Sequence, residues 1–262
     1  MKISGKRIIV TGAGGGIGRQ LVAEIIRRGG EVVAVDINPE NLDKTAALAP
    51  DKIKPVILDI TDSEKVWEFA VKPDKLEIDG IINNAGIIQP FVKVGDLSDK
   101  DINRVMAVNF YGTLNLVRAF LPQFLKKPEA HIVNLSSMGG FLPVPGQGIY
   151  GAAKAAVKLM TESLRGELRD TGVQVTVVFP GAVNTNIMAN SGLKVEVNEK
   201  NKKQAQKILG ANDAARQILD GMERNRSRIL LGKDARMMDF LYRLSPNFAS
   251  GLIAKKMGDK LK

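Results

Sequence analysis

Cysteine is absent from this sequence, which excludes disulfides, thiolate catalysis and cysteine-ligated zinc or iron–sulfur clusters. Histidine occurs once, at His131, so no pair exists for a histidine-based metal site. His131 opens an apolar run far from any ligand partner and is read as structural. Any catalysis must therefore rest on hydroxyls, amides, lysine or carboxylates. Long membrane-spanning runs are lacking too. Residues 130–153 and 171–193 contain no Asp, Glu, Lys or Arg, but the first is broken by Pro143, Pro145 and five glycines, and the second by Pro180. Neither could satisfy its backbone as an unbroken helix in lipid. The N-terminus reaches its first turn signal too soon to hold the apolar region of a secretion signal. A soluble, reducing, cytoplasmic location is the expectation.

What is present is the mix of an ordinary globular protein: 262 residues, 44% hydrophobic and 25% charged. The formal charge of +10 is unevenly placed, with 16 basic and 8 acidic residues from Asn190 onward. Short β-rich runs at 7–11, 31–36, 54–58, 78–83, 131–136 and 174–180 alternate with helical patterns at 17–28, 41–49, 63–71, 100–125 and 149–170. A further helix at 211–224 precedes a seventh strand at 228–231. Alternation of this kind predicts βαβ units. Right-handed crossovers then build one α/β domain, a doubly wound (Rossmann-type) parallel sheet of about seven strands with helices on both faces. No internal repeat or linker divides residues 1–262.

Two constellations carry chemistry. Gly12, Gly14, Gly15, Gly16 and Gly18 lie between the first strand and the first helix. Helix N-termini present unpaired amides and partial positive charge, and glycines let a pyrophosphate approach them. Asp36 ends the next strand, 18 residues after Gly18, where a carboxylate accepts hydrogen bonds from an adenosine ribose. That carboxylate repels a 2′-phosphate, and the neighbouring Ile37 offers no compensating charge, so NAD is expected in preference to NADP. In the second constellation Tyr150 and Lys154 stand four apart and meet on one helix face. Ser137 lies 13 residues upstream at a strand end, and Asn109 sits in a predicted helix that disfavours it. Each of these residues taken singly has a bland structural reading; in register they point to one site.

From Lys6 to about Thr185 these motifs together resemble the short-chain dehydrogenase/reductase family. Thr11 to Gly18 matches its Thr-Gly-x-x-x-Gly-x-Gly turn, and Asn83 to Gly86 its Asn-Asn-Ala-Gly segment. The resemblance implies a catalytic tetrad of Asn109, Ser137, Tyr150 and Lys154. It implies an adenine-side role for Asp59 and a nicotinamide-side role for Pro180, Gly181 and Thr185. Ile17, Ile60, Asn84, Ala85, Gly86 and Val183 complete the cofactor residues it assigns, with Thr11, Gly12, Gly14, Gly16 and Gly18. Tyr150 would exchange a proton with the alcohol, Ser137 would hydrogen-bond the reacting oxygen, Lys154 would also hold the nicotinamide ribose, and Asn109 would keep a relay water. A tyrosine acting as a base near neutrality must lose about three pKa units, roughly 4 kcal/mol. A lysine ammonium about 4 Å away supplies an energy of that order at an effective dielectric of about 20.

The substrate side is expected to be apolar and uncharged, walled by Phe141, Leu142, Val144, Ile187 and Met188, with Ile88 and Gln89. A neutral hydrophobic alcohol or ketone, of steroid, retinoid or medium- to long-chain type, fits such a wall. A 3-oxoacyl thioester reductase is the alternative within the enzyme class. A non-catalytic NAD(H)-binding sensor or a membrane-surface scaffold is the alternative outside it. Residues 188–210 read as a polar, flexible lid. The tail, 233–262, carries Met237, Phe240, Leu241 and Leu244 at helical spacing, then Phe248, Leu252, Ile253 and Met257 among lysines. It is expected to pack on its own domain or a sister subunit of a dimer or tetramer, or to lie on an anionic membrane. No recognition motif supports nucleic-acid binding.

Overall fold

The computed structural model describes residues 1–71, 77–185, 187–193 and 208–257. Seven parallel strands form one sheet in the order β3-β2-β1-β4-β5-β6-β9. They are β1 (Arg7–Thr11), β2 (Glu31–Asp36), β3 (Ile53–Ile57), β4 (Gly80–Asn83), β5 (Ala130–Leu135), β6 (Val173–Pro180) and β9 (Arg228–Leu231). A two-residue ladder, β7 (Val183–Asn184) with β8 (Leu209–Gly210), lies outside this sheet and is not foreshadowed by any β-rich run. The chain winds outward from β1 to β3 and then back through β4 to the other edge. The strand order thus reverses between β1 and β4, the position where open α/β sheets form their ligand crevice.

Strand periodicity divides the core into two layers. Ile8 and Val10 of β1 face α1 (Gly16–Arg27) and α8 (Ala211–Glu223), packing with Leu21, Ile25, Ile218 and Met222. Ile9, between them, faces the opposite layer, where α5 (Gly112–Phe124) and α6 (Gly148–Glu167) supply Phe120, Phe124 and Leu164. Both faces of each inner strand are apolar because both are covered. The remaining helices are α2 (Pro39–Ala46), α3 (Ser63–Val71), α4 (Asp99–Met106), the one-turn α7 (Ile187–Asn190), and the tail helices α9 (Lys233–Leu244) and α10 (Pro246–Met257). Among the described residues no helix is long and apolar enough to cross a membrane.

The predicted helix at 100–125 is interrupted. Between α4 and α5 residues Ala107–Tyr111 form a π-turn with Asn109 inside it. The Asn109 side chain donates from Nδ2 to the carbonyl of Val105, four residues back, at 3.0 Å. That carbonyl is the one Asn109's own amide would take in an α-helix, so side-chain competition accounts for the widened turn.

His131 is fully buried on β5, with Nε2 2.8 Å from the Thr176 hydroxyl. That hydroxyl donates to the Arg226 carbonyl, so the imidazole carries its proton on Nε2, while Nδ1 has no partner. Burial, followed by the N-terminal ammonium and Arg165, lowers its pKa from 6.5 to about 3. The folded state therefore holds His131 neutral. Its stability contribution is complete above pH 6.5 and is lost as pH falls towards 3, at about 1.4 kcal/mol per unit. Thermal melts between pH 7.5 and 4 should show a steep acid limb, and His131→Gln should flatten it.

Candidate active site

The crevice is built first from backbone. Gly12, at φ +63°, lets the β1–α1 turn lie against Ala85, whose Cα would be 3.0 Å from an added Cβ. A Cβ on Gly18 would overlap the Gly12 carbonyl, so the helix can enter this close only as glycine. Gly15 precedes α1 in extended conformation with no side-chain cap, and the first turn of α1 has no acidic residue. Among the described residues the amides at this end thus have no internal acceptor, and they open into the cleft. Asp36 closes the far side. Its Oδ2 accepts from the Gly14 amide at 2.7 Å and its Oδ1 from the Asn38 amide at 3.0 Å.

Thr11 ties β1 to β4 across the strand-order reversal. Its hydroxyl accepts from the amides of Asn84 and Ala85, each at 3.0 Å, and the Asn84 side chain donates to the Thr11 carbonyl at 2.9 Å. Asp59 accepts from the Thr61 amide and hydroxyl, which presents the Asp59–Ile60 turn to the same cleft. Asn109 bonds both backbone groups of Ile87, at 2.9 and 3.1 Å. A Cβ on Gly86 would come within 2.7 Å of Asn109 Oδ1 and 3.3 Å of Lys154 Nζ.

Ser137 leaves β5 and caps the 3-10 turn Met138–Gly140, accepting from the Gly139 amide at 3.1 Å. α6 then brings Tyr150 and Lys154 to it. The start of α6 is held from outside: the buried Gln89 side-chain oxygen Oε1 accepts from the amides of Ile149 (2.9 Å) and Tyr150 (2.8 Å). Lys154 is 4% exposed and donates to the Leu135 carbonyl at 2.9 Å. Burial lowers its pKa to about 8. Burial also pushes the Tyr150 phenol up, and the adjacent Ser137 hydroxyl draws it back only in part. The Lys154 ammonium is held by the Leu135 carbonyl in this arrangement. All three side chains line one cleft of about 920 Å³ together with the glycine turn and Asp36. A cavity of about 700 Å³ beside Lys54, Phe120 and Lys127 lies among the N-terminal ends of the strands and shares none of these residues.

The sequence model of the family described as short chain dehydrogenase matches residues 6–196. This chain belongs to that family. The dehydrogenase is 33% identical over 263 residues to the putative oxidoreductase SadH of Mycobacterium tuberculosis, covering 95% of this chain and 94% of that one. It is similar to a short chain dehydrogenase from Burkholderia cenocepacia solved in complex with NADP. The TM-score is 0.81 and the identity 29%, over 97% of this chain and 99% of that one. It is also similar to a short chain dehydrogenase/reductase from Burkholderia phymatum in complex with NAD. There the TM-score is 0.78 and the identity 29%, over 88% and 90%. The dehydrogenase is thus an oxidoreductase by family.

Most of the predicted cofactor residues of the dehydrogenase line its cleft, Pro180, Gly181, Val183 and Thr185 included. Thr11, Gly18 and Asn109 sit just behind the lining and shape it. The substrate wall differs from expectation. Phe141 turns away and packs edge-to-face on Phe179 at 5.5 Å and beside Tyr242, while Leu142 is buried with Met238 and Ala249. Phe179 comes from β6, and the tail helices supply Met238, Tyr242 and Ala249. Val144 does not line the cleft either; it belongs to the turn that leads into α6, where its carbonyl accepts from the Gln147 amide. Gln89 is spent on the α6 start. Ile187 at the start of α7 and Ser191 just past its end line the cleft, and Met188 does not. Of the expected lid, residues 194–207 lie outside the described residues, as do tail residues 258–262.

Two residues escaped sequence reasoning in the dehydrogenase. Arg104 of α4 lines the cleft, so the wall is not free of charge, and its Nη2 donates to the Ser191 carbonyl at 2.6 Å. Ser191 in turn accepts from the Ile88 amide and donates to the Ile187 carbonyl, so α7 is latched over the substrate end. Asp234 of α9 accepts from the Ala182 amide at 2.7 Å and holds the Pro180–Ala182 turn. No spacing rule marks either residue, because each reaches the cleft through tertiary packing.

Proposed function

We propose that this dehydrogenase interconverts an alcohol and its ketone or aldehyde with a nicotinamide dinucleotide, NAD in preference to NADP, on a neutral apolar substrate. One observation carries the reading: Ser137, Tyr150 and Lys154 share a single cleft with the open amides of α1 and with Asp36. The glycine-shaped turn that added Cβ atoms would fill, and the first helical turn without an acid, fit a pyrophosphate. Asp36 fits the diol of an unphosphorylated adenosine ribose. Arg19, a cation behind the turn, is engaged by Gly14, Asn41 and Thr45 and does not line the cleft. When bound, the nicotinamide accepts or supplies the hydride at the carbinol carbon.

The chain's own groups handle the proton. Ser137 donates to the reacting oxygen and stabilises its developing charge. Tyr150 takes the alcohol proton in oxidation and returns it in reduction. Lys154, charged below about pH 8, favours the phenolate once its ammonium points to Tyr150. Ile87, Ile88 and Ile187 support an apolar substrate, and association into a dimer or tetramer belongs to the same reading. Arg104 favours a second reading, a 3-oxoacyl thioester with an acidic carrier, because it places a cation at the substrate end of the cleft.

The test follows NADH absorbance with secondary alcohols and ketones, from short-chain to steroid-sized, beside acyl thioesters. Turnover rising with apolar size supports the first reading, and thioesters outcompeting ketones favours the second. Tight NADH binding without turnover on any substrate would leave a sensor that keeps the fold.

A further inference from the structure

We propose that the outward face of α9 and α10 docks on a lipid bilayer rich in anionic headgroups. The two helices are apolar on both sides. Inwardly, Met238, Leu241, Tyr242, Ala249 and Ile253 pack against Met138, Phe141 and Leu142. Outwardly, Met237, Phe240, Leu244 and Phe248 are 55%, 63%, 68% and 61% exposed, so more than half of each apolar side chain meets solvent. Met237, Phe240 and Leu244 repeat at i, i+3 and i+7 and form one stripe of α9, while Phe248 and Leu252 stand four apart on α10. A helix whose inner stripe already completes a core does not need a second one for folding.

Charge names the occupant. Lys233, Arg236, Arg243, Lys255 and Lys256 are exposed on the same two helices. The only carboxylates there are Asp234, committed inward to the Ala182 amide, and Asp239, which pairs with Arg228 and with Arg243; among the described residues Lys233, Arg236, Lys255 and Lys256 have no carboxylate partner. Among the described residues, the outer face is apolar side chains interleaved with cations and no uncommitted acid. A second copy meeting this face about a two-fold axis would set cations against cations. An anionic bilayer takes both components, the apolar tips below the headgroups and the long basic side chains among them. The contact would also sit close to the cleft, since α9 holds the Pro180–Ala182 turn through Asp234 and backs the Ser137 turn through Phe141. It stands independently of what the cleft turns over.

The experiment sediments the full chain with vesicles of phosphatidylcholine alone and with vesicles in which one third is phosphatidylglycerol. Partition to the anionic vesicles should exceed the neutral case at least about ten-fold and fall in high salt. Lys255→Gln with Lys256→Gln should weaken it roughly five-fold per cation removed. Phe240→Ser with Phe248→Ser should abolish it while thermal melts and NADH binding stay at parent values. Equal partition to both vesicle types overturns the proposal, as does parental binding by either double variant. If the phenylalanine variant instead shrinks the species seen by light scattering without changing sedimentation, the face joins two copies of the chain. If a soluble nucleic acid retains parent and phenylalanine variant alike and competes away the vesicles, the face is a plain polyanion site and the lipid assignment fails.

Discussion

Tyr150→Phe should lower kcat by about a thousand-fold while NADH binding stays within a few-fold of the parent, with general acid–base catalysis contributing typically 10²–10⁴. The substitution deletes one oxygen and keeps the ring, so packing against α6 and the Met138–Gly140 turn is preserved. The size of the loss follows from how hard that proton is to move without the hydroxyl. A buried phenol resists ionisation, and here burial pushes its pKa above the ordinary value. Ser137 offsets part of this, and Lys154 is the nearby cation able to offset more, yet its ammonium rests on the Leu135 carbonyl. Catalytic hydrogen bonds often tighten only when ligand binds, so the Lys154 contribution to the phenol is expected to be largest in the ligand complex. Lys154→Ala should then shift the pH profile of kcat upward in addition to reducing it, which a purely structural lysine would not do. Stopped-flow NADH kinetics on the parent and both variants measure these effects. Retention of parental kcat by Tyr150→Phe would remove the phenol from the mechanism.

The parts of this site that were legible in the sequence are those whose geometry is local. Gly12 to Gly18, which follow β1 and open α1, favour a tight turn with exposed amides. A residue at the end of β2 must emerge at the same sheet edge as that turn, because parallel strands carry their C-termini together. Tyr150 and Lys154 share a face by helical period alone. What stayed hidden depends on contacts between distant segments. Phe141 is apolar and follows Ser137 closely, so it reads as cleft wall, but Phe179 of β6 and Tyr242 of α9 hold it instead. Gln89 follows the Asn83–Gly86 segment and reads as lining, whereas 60 residues later the α6 amides claim its side-chain oxygen Oε1. Arg104 lay outside the two uncharged stretches from which the wall was inferred, and it enters from α4 just ahead of the π-turn at Asn109. Helical periodicity cannot anticipate such a turn, because it arises from one side-chain bond to Val105.

On the proposed reading Asp36 selects the dinucleotide, and its effect should be nearly as large. The parent should use NAD over NADP by at least about a hundred-fold in kcat/KM. Two amides, from Gly14 and Asn38, fix the carboxylate at 2.7 and 3.0 Å, so it cannot rotate aside for an approaching 2′-phosphate. Like charges about 4 Å apart at an effective dielectric of about 20 repel by roughly 4 kcal/mol, close to a thousand-fold. Screening by water at the rim reduces this towards the lower figure. Among the described residues no cation compensates: Arg19 is consumed by Gly14, Asn41 and Thr45, and the position after Asp36 is Ile37, 64% exposed. Asp36→Ala should therefore erase most of the preference by weakening NAD and admitting NADP. Adding Ile37→Arg should invert it, since a guanidinium pairs bidentately with a phosphate. The same fold accommodates either dinucleotide in its relatives, so the fold itself cannot set the outcome. Steady-state kinetics with both dinucleotides on the three proteins measure it. A parent indifferent to the 2′-phosphate would mean that Asp36 serves only to hold the Gly14 amide, and the adenosine would then have to lie beyond its reach.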